Sequence, residues 1–266
     1  MFQKQMIIEQ PEYFKKLVPL SSDLVKVKSA NDKLVIDTIA NKNKYIIVCG
    51  PCSADDRIAV TEYCRQLKNL SDRVKDKILL IPRIYTVKPH SSGNGYLGIL
   101  FHKNKYETPD IRNGIIECRK LFIKCIELGM PIADELLYSE QLNYFDDLVS
   151  YYFLGARSSE DPTHRNLASG LDIQVGIKNN TSGSIETLIQ SVYAVSHSKY
   201  FWFNNNQVYT QGNKNVNIVL RGYKDSKGAF QSNFSDDKLD EVIRECDKLG
   251  LQKPFIMVDC AHANSA

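Results

Sequence analysis

YIIVCGPC, residues 45–52, opens on five apolar residues with no polar break and closes on Gly50-Pro51, a turn signal. A strand that alternated apolar and polar residues would wet one face. This run instead reads as a strand buried on both faces, the habit of parallel sheets. The pattern recurs at Ile78–Pro82 (ILLIP), 130–133 (MPIA), 152–155 (YFLG), 173–177 (IQVGI), 218–220 (IVL) and 255–258 (FIMV). Amphipathic patterns lie between these runs. Over 110–129, Ile111, Ile115, Phe122 and Ile126 share one helical face, closed by Gly129 and Pro131. Over 235–250, Ser235 stands as N-cap before a stripe of Leu239, Val242, Ile243, Cys246 and Leu249. Buried strands separated by helices predict an α/β chain with a parallel sheet covered on both sides, in the manner of a (β/α)8 TIM barrel.

One interval breaks the rhythm. KYFWFNNNQVYTQGNKN, residues 199–215, places two β-rich runs around an asparagine-rich turn, which predicts an inserted hairpin. The remaining seven strands are one fewer than a closed barrel holds. The polar lead, 1–44, reads as an N-terminal extension and 45–266 as the barrel domain, with its last strand and helices missing.

Composition narrows the function. A chain of 266 residues with 43% hydrophobic and 24% charged residues is long enough to bury a large core and fits a soluble globular enzyme. The net charge of +3 is interspersed along the chain, which argues against nucleic acid or an anionic membrane as partner. No apolar run approaches a membrane span, and the N-terminus lacks the apolar core of a signal peptide. Seven scattered cysteines, an odd number, predict reduced thiols and a cytoplasmic protein.

The strand ends carry the chemistry. Following the seven strands come Cys52, then Arg83 with Lys88, Glu135, Arg157, Lys178, Arg221 and His262. A single polar residue there is ordinary, because strand ends meet water. A polar residue at every end is what the mouth of a barrel requires. Arg83, Lys88, Arg157, Lys178 and Arg221 would repel one another without an anion between them, so the expected ligand carries phosphate or carboxylate groups. Cys52 and His262 come from the first and seventh strands and read as half of a divalent-metal site. Two patterns are set aside. Cys49-Gly-Pro-Cys52 has the spacing of a redox pair, but alternation buries Cys49 and the chain is far longer than a thioredoxin domain. Gly93-Asn-Gly95-Tyr-Leu-Gly98 matches a dinucleotide fingerprint by letter but opens no helix, so it reads as a loop.

Taken in order, seven motifs resemble the metal-dependent 3-deoxy-arabino-heptulosonate 7-phosphate (DAHP) synthases, in their feedback-regulated branch. They are GPCSADD (50–56), PRIYTVKP (82–89), GARSSED (155–161), HRNLASGL (164–171), VGIKNNTSG (175–183), VLRG (219–222) and VDCAHANS (258–265). The resemblance implies condensation of phosphoenolpyruvate with erythrose 4-phosphate at the entry to the shikimate pathway. It implies a phosphoenolpyruvate cradle of Arg83, Arg157 with Ala156, Lys178 and Arg221. It implies a catalytic Lys88 between the two substrates and a site carboxylate at Glu135. Cys52 and His262 would be two of four ligands to a divalent ion (Mn, Fe, Co or Zn), with His262 also at the reacting centre. The loop Lys88-Pro89-His90-Ser91 would grip the aldehyde's phosphate. The family has arginine where His90 stands, a weaker partner at neutral pH, which leaves open another aldehyde. The family's remaining ligands, a glutamate on strand eight and an aspartate beyond it, lie past residue 266, so half a metal site is expected here, and a non-catalytic phosphoenolpyruvate-binding paralogue is a second alternative. The extension and the hairpin near Trp202 would bind an aromatic amino-acid inhibitor and build a homo-oligomer.

Overall fold

The computed structural model describes residues 2–88, 95–102, 108–252 and 254–265. It divides into two compact units, Met1–Ser150 and Tyr151–Ala266.

The first unit begins with two helices, α1 (Pro11–Leu17) and α2 (Ser22–Asn41), in the segment read from sequence only as a polar extension. Ser21 caps α2, its hydroxyl accepting from the Leu24 amide at 3.4 Å. The side of α2 that is buried carries Asn31, Val35, Thr38 and Ile39. β1 (Tyr45–Cys49) and β2 (Ile78–Pro82) pair in parallel from Tyr45↔Ile78 to Cys49↔Pro82, linked by α3 (Arg57–Val74). Asp56 caps α3 by accepting from the amides of Ile58 and Ala59. α4 (Ile111–Glu127) starts on the Asp110 cap and buries Ile115, Leu121, Phe122, Cys125 and Ile126.

β3 is Ala133–Glu135, displaced toward the C-terminus from the expected 130–133. Pro131 has no amide hydrogen to give a ladder, and pairing starts only at the parallel bridge Arg83↔Ala133. A short α5 (Leu142–Phe145) follows.

The second unit is built on four parallel strands. These are β4 (Tyr151–Leu154), β5 (Gln174–Lys178), β8 (Val216–Leu220) and β11 (Ile256–Val258), adjacent in that order. All of β4 and β5 is buried, as an unbroken apolar run requires. α6 (Pro162–Ser169), α7 (Ile185–Ser196) and α8 (Asp236–Lys248) connect the strands. Ser235 takes the N-cap of α8 as expected, and Val242 and Cys246 are the buried residues of its stripe. The expected hairpin forms from β6 (Lys199–Phe203) and β7 (Asn206–Thr210), with Phe203 opposite Asn206. Asn204 and Asn205 turn it with φ of 49° and 61°, the left-handed pair that a tight hairpin needs. A second, two-residue pair, β9 (Tyr223–Lys224) with β10 (Phe230–Gln231), was not legible in the sequence. Among the described residues, no helix is long and apolar enough to cross a membrane. All seven cysteines are free thiols, as expected.

Candidate active site

In the first unit, the chain leaving β2 forms an arm over residues 83–88 that runs beside the loop leaving β1. The Arg83 amide donates to Cys49 O at 2.9 Å, and the Ala54 amide to Tyr85 O at 2.9 Å. A side chain at position 50 would put its Cβ 2.1 Å from Arg83 O, so only glycine lets the two backbones approach this closely. The Arg83 guanidinium turns onto that loop. Its Nη2 donates to Gly50 O at 2.9 Å and Pro51 O at 3.1 Å, and the group lies 4.9 Å from the Tyr85 ring centroid. Further along the arm, Lys88 Nζ donates to Cys52 Sγ. Cys52 itself is exposed.

Beneath the arm lies a residue that the sequence reading passed over. Asp134, in β3, is fully buried. Its Oδ1 accepts from the Thr86 amide at 3.1 Å and from the Glu135 amide at 2.8 Å, and its Oδ2 accepts from Thr86 Oγ1 at 2.8 Å. Burial pushes its carboxyl up to about 7, against the Thr86 and Glu135 donors that favour the charged form, and the neighbouring Glu135 adds to the rise. Glu135 closes β3, and among the described residues no hydrogen bond or ion pair joins its carboxylate to Arg83 or Lys88. Pro89, His90 and Ser91 lie outside the described residues.

In the second unit, Lys178 ends β5. Its side chain is buried, with Nζ 5.4 Å from the Phe153 ring centroid and 3.6 Å from Asp259 Oδ2. Asp259 follows β11, its amide donating to Leu220 O at 2.8 Å. Its Oδ1 accepts from the Ala261 amide at 2.9 Å and its Oδ2 contacts His262 Nδ1 at 3.0 Å. Burial opposes the charge on Asp259, but the His262 bond, the Lys178 ammonium and the Ala261 amide outweigh it, holding the carboxyl well below its usual range. His262 sits at φ 54°, a conformation unusual for a side-chain-bearing residue and concentrated at functional sites.

Three asparagines, also missed from sequence as a group, frame Arg221. Buried Asn179 accepts from the Arg221 amide at 2.8 Å and from Asn233 Nδ2 at 3.0 Å, and donates to Gly222 O at 2.9 Å. Asn233 Oδ1 accepts from the Gly222 amide at 2.7 Å, and Asn264 Nδ2 donates to Leu220 O at 3.0 Å and Asp259 O at 3.1 Å. The network ties the turn after β8 to the turn holding His262. Its one signal in the sequence was Asn179, a polar residue directly following the buried β5. Arg157 is exposed in the turn after β4, where the amides of Ser158 and Ser159 both donate to Gly155 O, and Ala156 beside it is half-buried. The structure thus joins Cys52, Arg83 and Lys88 in one unit, and Lys178 and His262 through Asp259 in the other.

The profile described as the DAHP synthetase I family matches residues 25–266. The chain belongs to that family. It is 33% identical over 267 residues to the Tyr-sensitive phospho-2-dehydro-3-deoxyheptonate aldolase of Escherichia coli K12, covering 98% of this chain and 73% of that protein. Against the Phe-sensitive enzyme of the same organism it is 34% identical over 231 residues, covering 85% of this chain and 64% of the relative. The solved structure of the phospho-2-dehydro-3-deoxyheptonate aldolase from Francisella tularensis SCHU S4 superposes with a TM-score of 0.91 at 28% identity, over 100% of this chain and 77% of that one.

The donors present suit a transition metal as far as they go. Cys52 offers an exposed sulfur. The His262 imidazole is bound through Nδ1 by a carboxylate, the outer-sphere arrangement that orients histidine ligands and leaves Nε2 to face an ion. Among the described residues no three histidine, cysteine, aspartate or glutamate side chains cluster.

Proposed function

We propose that this chain catalyses the DAHP synthase reaction, joining phosphoenolpyruvate to erythrose 4-phosphate with release of phosphate, in aromatic amino-acid biosynthesis. Beside family membership, one observation carries the reading. Arg83 and Lys88 rise from one arm, and among the described residues their side chains meet two carbonyls, a tyrosine ring and a cysteine sulfur in place of a carboxylate. Cations held on neutral groups keep their positive potential for an anionic ligand. We read 45–266 as the catalytic domain, a (β/α)8 barrel by kinship, and 1–44 as the extension that makes oligomer and regulatory contacts.

Arg83, Arg157 with Ala156, Lys178 and Arg221 hold the phosphate and carboxylate of phosphoenolpyruvate, and the Lys88-Pro89-His90-Ser91 loop holds the aldehyde's phosphate. Cys52 and His262 would hold a divalent ion, whose chemistry when bound is Lewis-acid polarisation of the aldehyde carbonyl. The protein's own groups do the rest by placement and charge. The bond forms between C3 of phosphoenolpyruvate and the aldehyde carbon, and Lys88 Nζ gives the new alkoxide its proton. Water adds at C2, oriented by Glu135, and the hemiketal phosphate collapses with loss of inorganic phosphate to leave the ketone. The relatives named Tyr-sensitive and Phe-sensitive support an aromatic amino acid as inhibitor here, and we read the chain as forming a homo-oligomer.

Phosphate release with phosphoenolpyruvate and a panel of phosphorylated aldehydes tests the reading. Release is expected with erythrose 4-phosphate above all others, and Lys178→Met should weaken phosphoenolpyruvate binding by about 1.5–3 kcal/mol in calorimetry. Binding without release from any aldehyde would favour a phosphoenolpyruvate-binding paralogue instead.

A further inference from the structure

The arm that carries Arg83 and Lys88 begins as a strand partner of β3 and then leaves it. At the start, the Ile84 amide donates to Ala133 O at 2.8 Å, as in a parallel ladder. Such a ladder would next send the Thr86 amide to Glu135 O, two residues on. That carbonyl is taken by Gln141 Nε2 at 3.0 Å, and β3 ends at Glu135. The Thr86 amide is fully buried and needs an acceptor. The Asp134 carboxyl supplies it, and the same group takes the Thr86 hydroxyl, so one side chain replaces a rung of the sheet.

On the far side of the arm, the Leu100 amide donates to Thr86 O at 3.1 Å and the Lys88 amide to Leu97 O at 2.8 Å. Thr86 is therefore gripped from both edges, two residues before Lys88. We propose that Asp134 is a positioning residue for the reaction, its carboxyl standing in for a strand carbonyl to fix the arm that presents Arg83 and Lys88 to the anionic substrate. The assignment rests on the phosphoenolpyruvate-binding reading of those two cations.

The clamp works in either protonation state. As a carboxylate it accepts from two amides and a hydroxyl. As a neutral acid its carbonyl oxygen still accepts from both amides, while its own hydroxyl donates to Thr86 Oγ1. The titratable neighbours are Glu135, next in the chain, and the Cys118 thiol of α4, which is fully buried and raised by its burial with Asp134 adding to the effect. Asparagine reproduces the neutral form in shape and in hydrogen bonds.

Asp134→Ala, Asp134→Asn and Thr86→Val test this by two measurements on the intact chain. Hydrogen exchange of peptides spanning 83–88 reads the arm directly, and calorimetry with phosphoenolpyruvate reads its consequence. Asp134→Ala should quicken exchange there at least tenfold and raise the Kd at least tenfold, while Asp134→Asn stays within threefold of the parent on both. Thr86→Val, which loses only the hydroxyl bond, should raise both at least threefold and decides the matter if the alanine variant does not fold. Exchange and Kd within twofold of the parent for Asp134→Ala or Thr86→Val would overturn the proposal. So would an asparagine variant as impaired as alanine. A parent protein that does not bind phosphoenolpyruvate would refute the binding reading on its own, and the exchange data would still decide the clamp.

Discussion

Asp259→Asn tests the core of the second unit's site with one atom changed. The carboxylate serves two groups at once: it binds His262 Nδ1 at 3.0 Å and stands 3.6 Å from the Lys178 ammonium. The side chains of Lys178 and Asp259 are 6% and 12% exposed, so solvent screens the pair little. At an effective dielectric of about 20, charges 3.6 Å apart attract by roughly 4.6 kcal/mol before desolvation. Breaking a buried pair by removing one charge typically costs about 3–5 kcal/mol, because the other charge stays behind. Asparagine can still accept from the Ala261 amide, which recovers part of this, so a net loss of about 2–3 kcal/mol is expected. Pulsed alkylation of Cys246, buried in the same unit, measures that loss as urea is raised at neutral pH. The same change removes the acceptor that orients His262, so Zn affinity should fall about 10–100-fold. A stability loss below about 0.5 kcal/mol together with unchanged Zn affinity would refute the reasoning.

Gly222→Ala should cost more than about 2 kcal/mol, since φ is 70° and the new Cβ would lie 2.7 Å from the Ala263 and Asn264 backbone. Gly228→Ala, at φ 82° with nothing within 4 Å, isolates the conformational part at about 1 kcal/mol; equal losses in urea unfolding would show that the contact with the His262 turn is not tight. Cys52 and Cys260, the exposed thiols, should react first with a chromogenic disulfide, ahead of buried Cys64, Cys118, Cys125 and Cys246. Added Zn should protect Cys52 and spare Cys260, and equal protection of both would remove Cys52 from the metal site. The Asp134 carboxyl is raised from an unfolded value near 3.9 to about 7. Its contribution is therefore present in full below about pH 4 and lost as pH rises through about 7, at most about 4 kcal/mol. Asp134→Asn should flatten that slope in urea titrations, and an identical slope in both proteins would show that Asp134 does not titrate there.

The elements legible in the sequence are those whose local pattern agreed with their surroundings. β1 and β2 fall on the runs YIIVC and ILLIP without a residue's difference, but β1, expected to be buried on both faces, leaves Tyr45 and Ile47 exposed, whereas Leu79 to Pro82 of β2 are buried. The β6–β7 hairpin was equally plain, since adjacent asparagines tolerate the left-handed turn that few other residues accept. α2 was not, because the face it buries includes Asn31 and Thr38, and no apolar stripe marks it. The strand-end cations and His262 could be named from position alone, but what holds them could not. Asp134 and Glu135 are adjacent acids in the sequence. Only the fold buries one completely against Thr86, forty-eight residues away, and leaves the other partly accessible.

The contrast in how this chain pairs its cations explains why an anion should be drawn to the 83–88 arm. Arg119 is fully buried and meets both oxygens of Asp147 at 2.7 Å, with the Val18 and Tyr144 carbonyls taking its other donors. Arg112 meets Glu9 at 2.9 Å, and Arg57 meets Glu117 at 2.8 Å. Those arginines are neutralised, and a phosphate reaching them would first have to displace a carboxylate. Arg83 is held instead by the carbonyls of Gly50 and Pro51, which orient a guanidinium without cancelling its charge. Lys178 takes a middle course, with its aspartate 3.6 Å away, beyond hydrogen-bond length, and that carboxylate hydrogen-bonded to His262. On the 83–88 arm, orientation is thus supplied in advance while charge is left uncancelled, which is the condition for binding an anion tightly without spending its binding energy on rearranging the site.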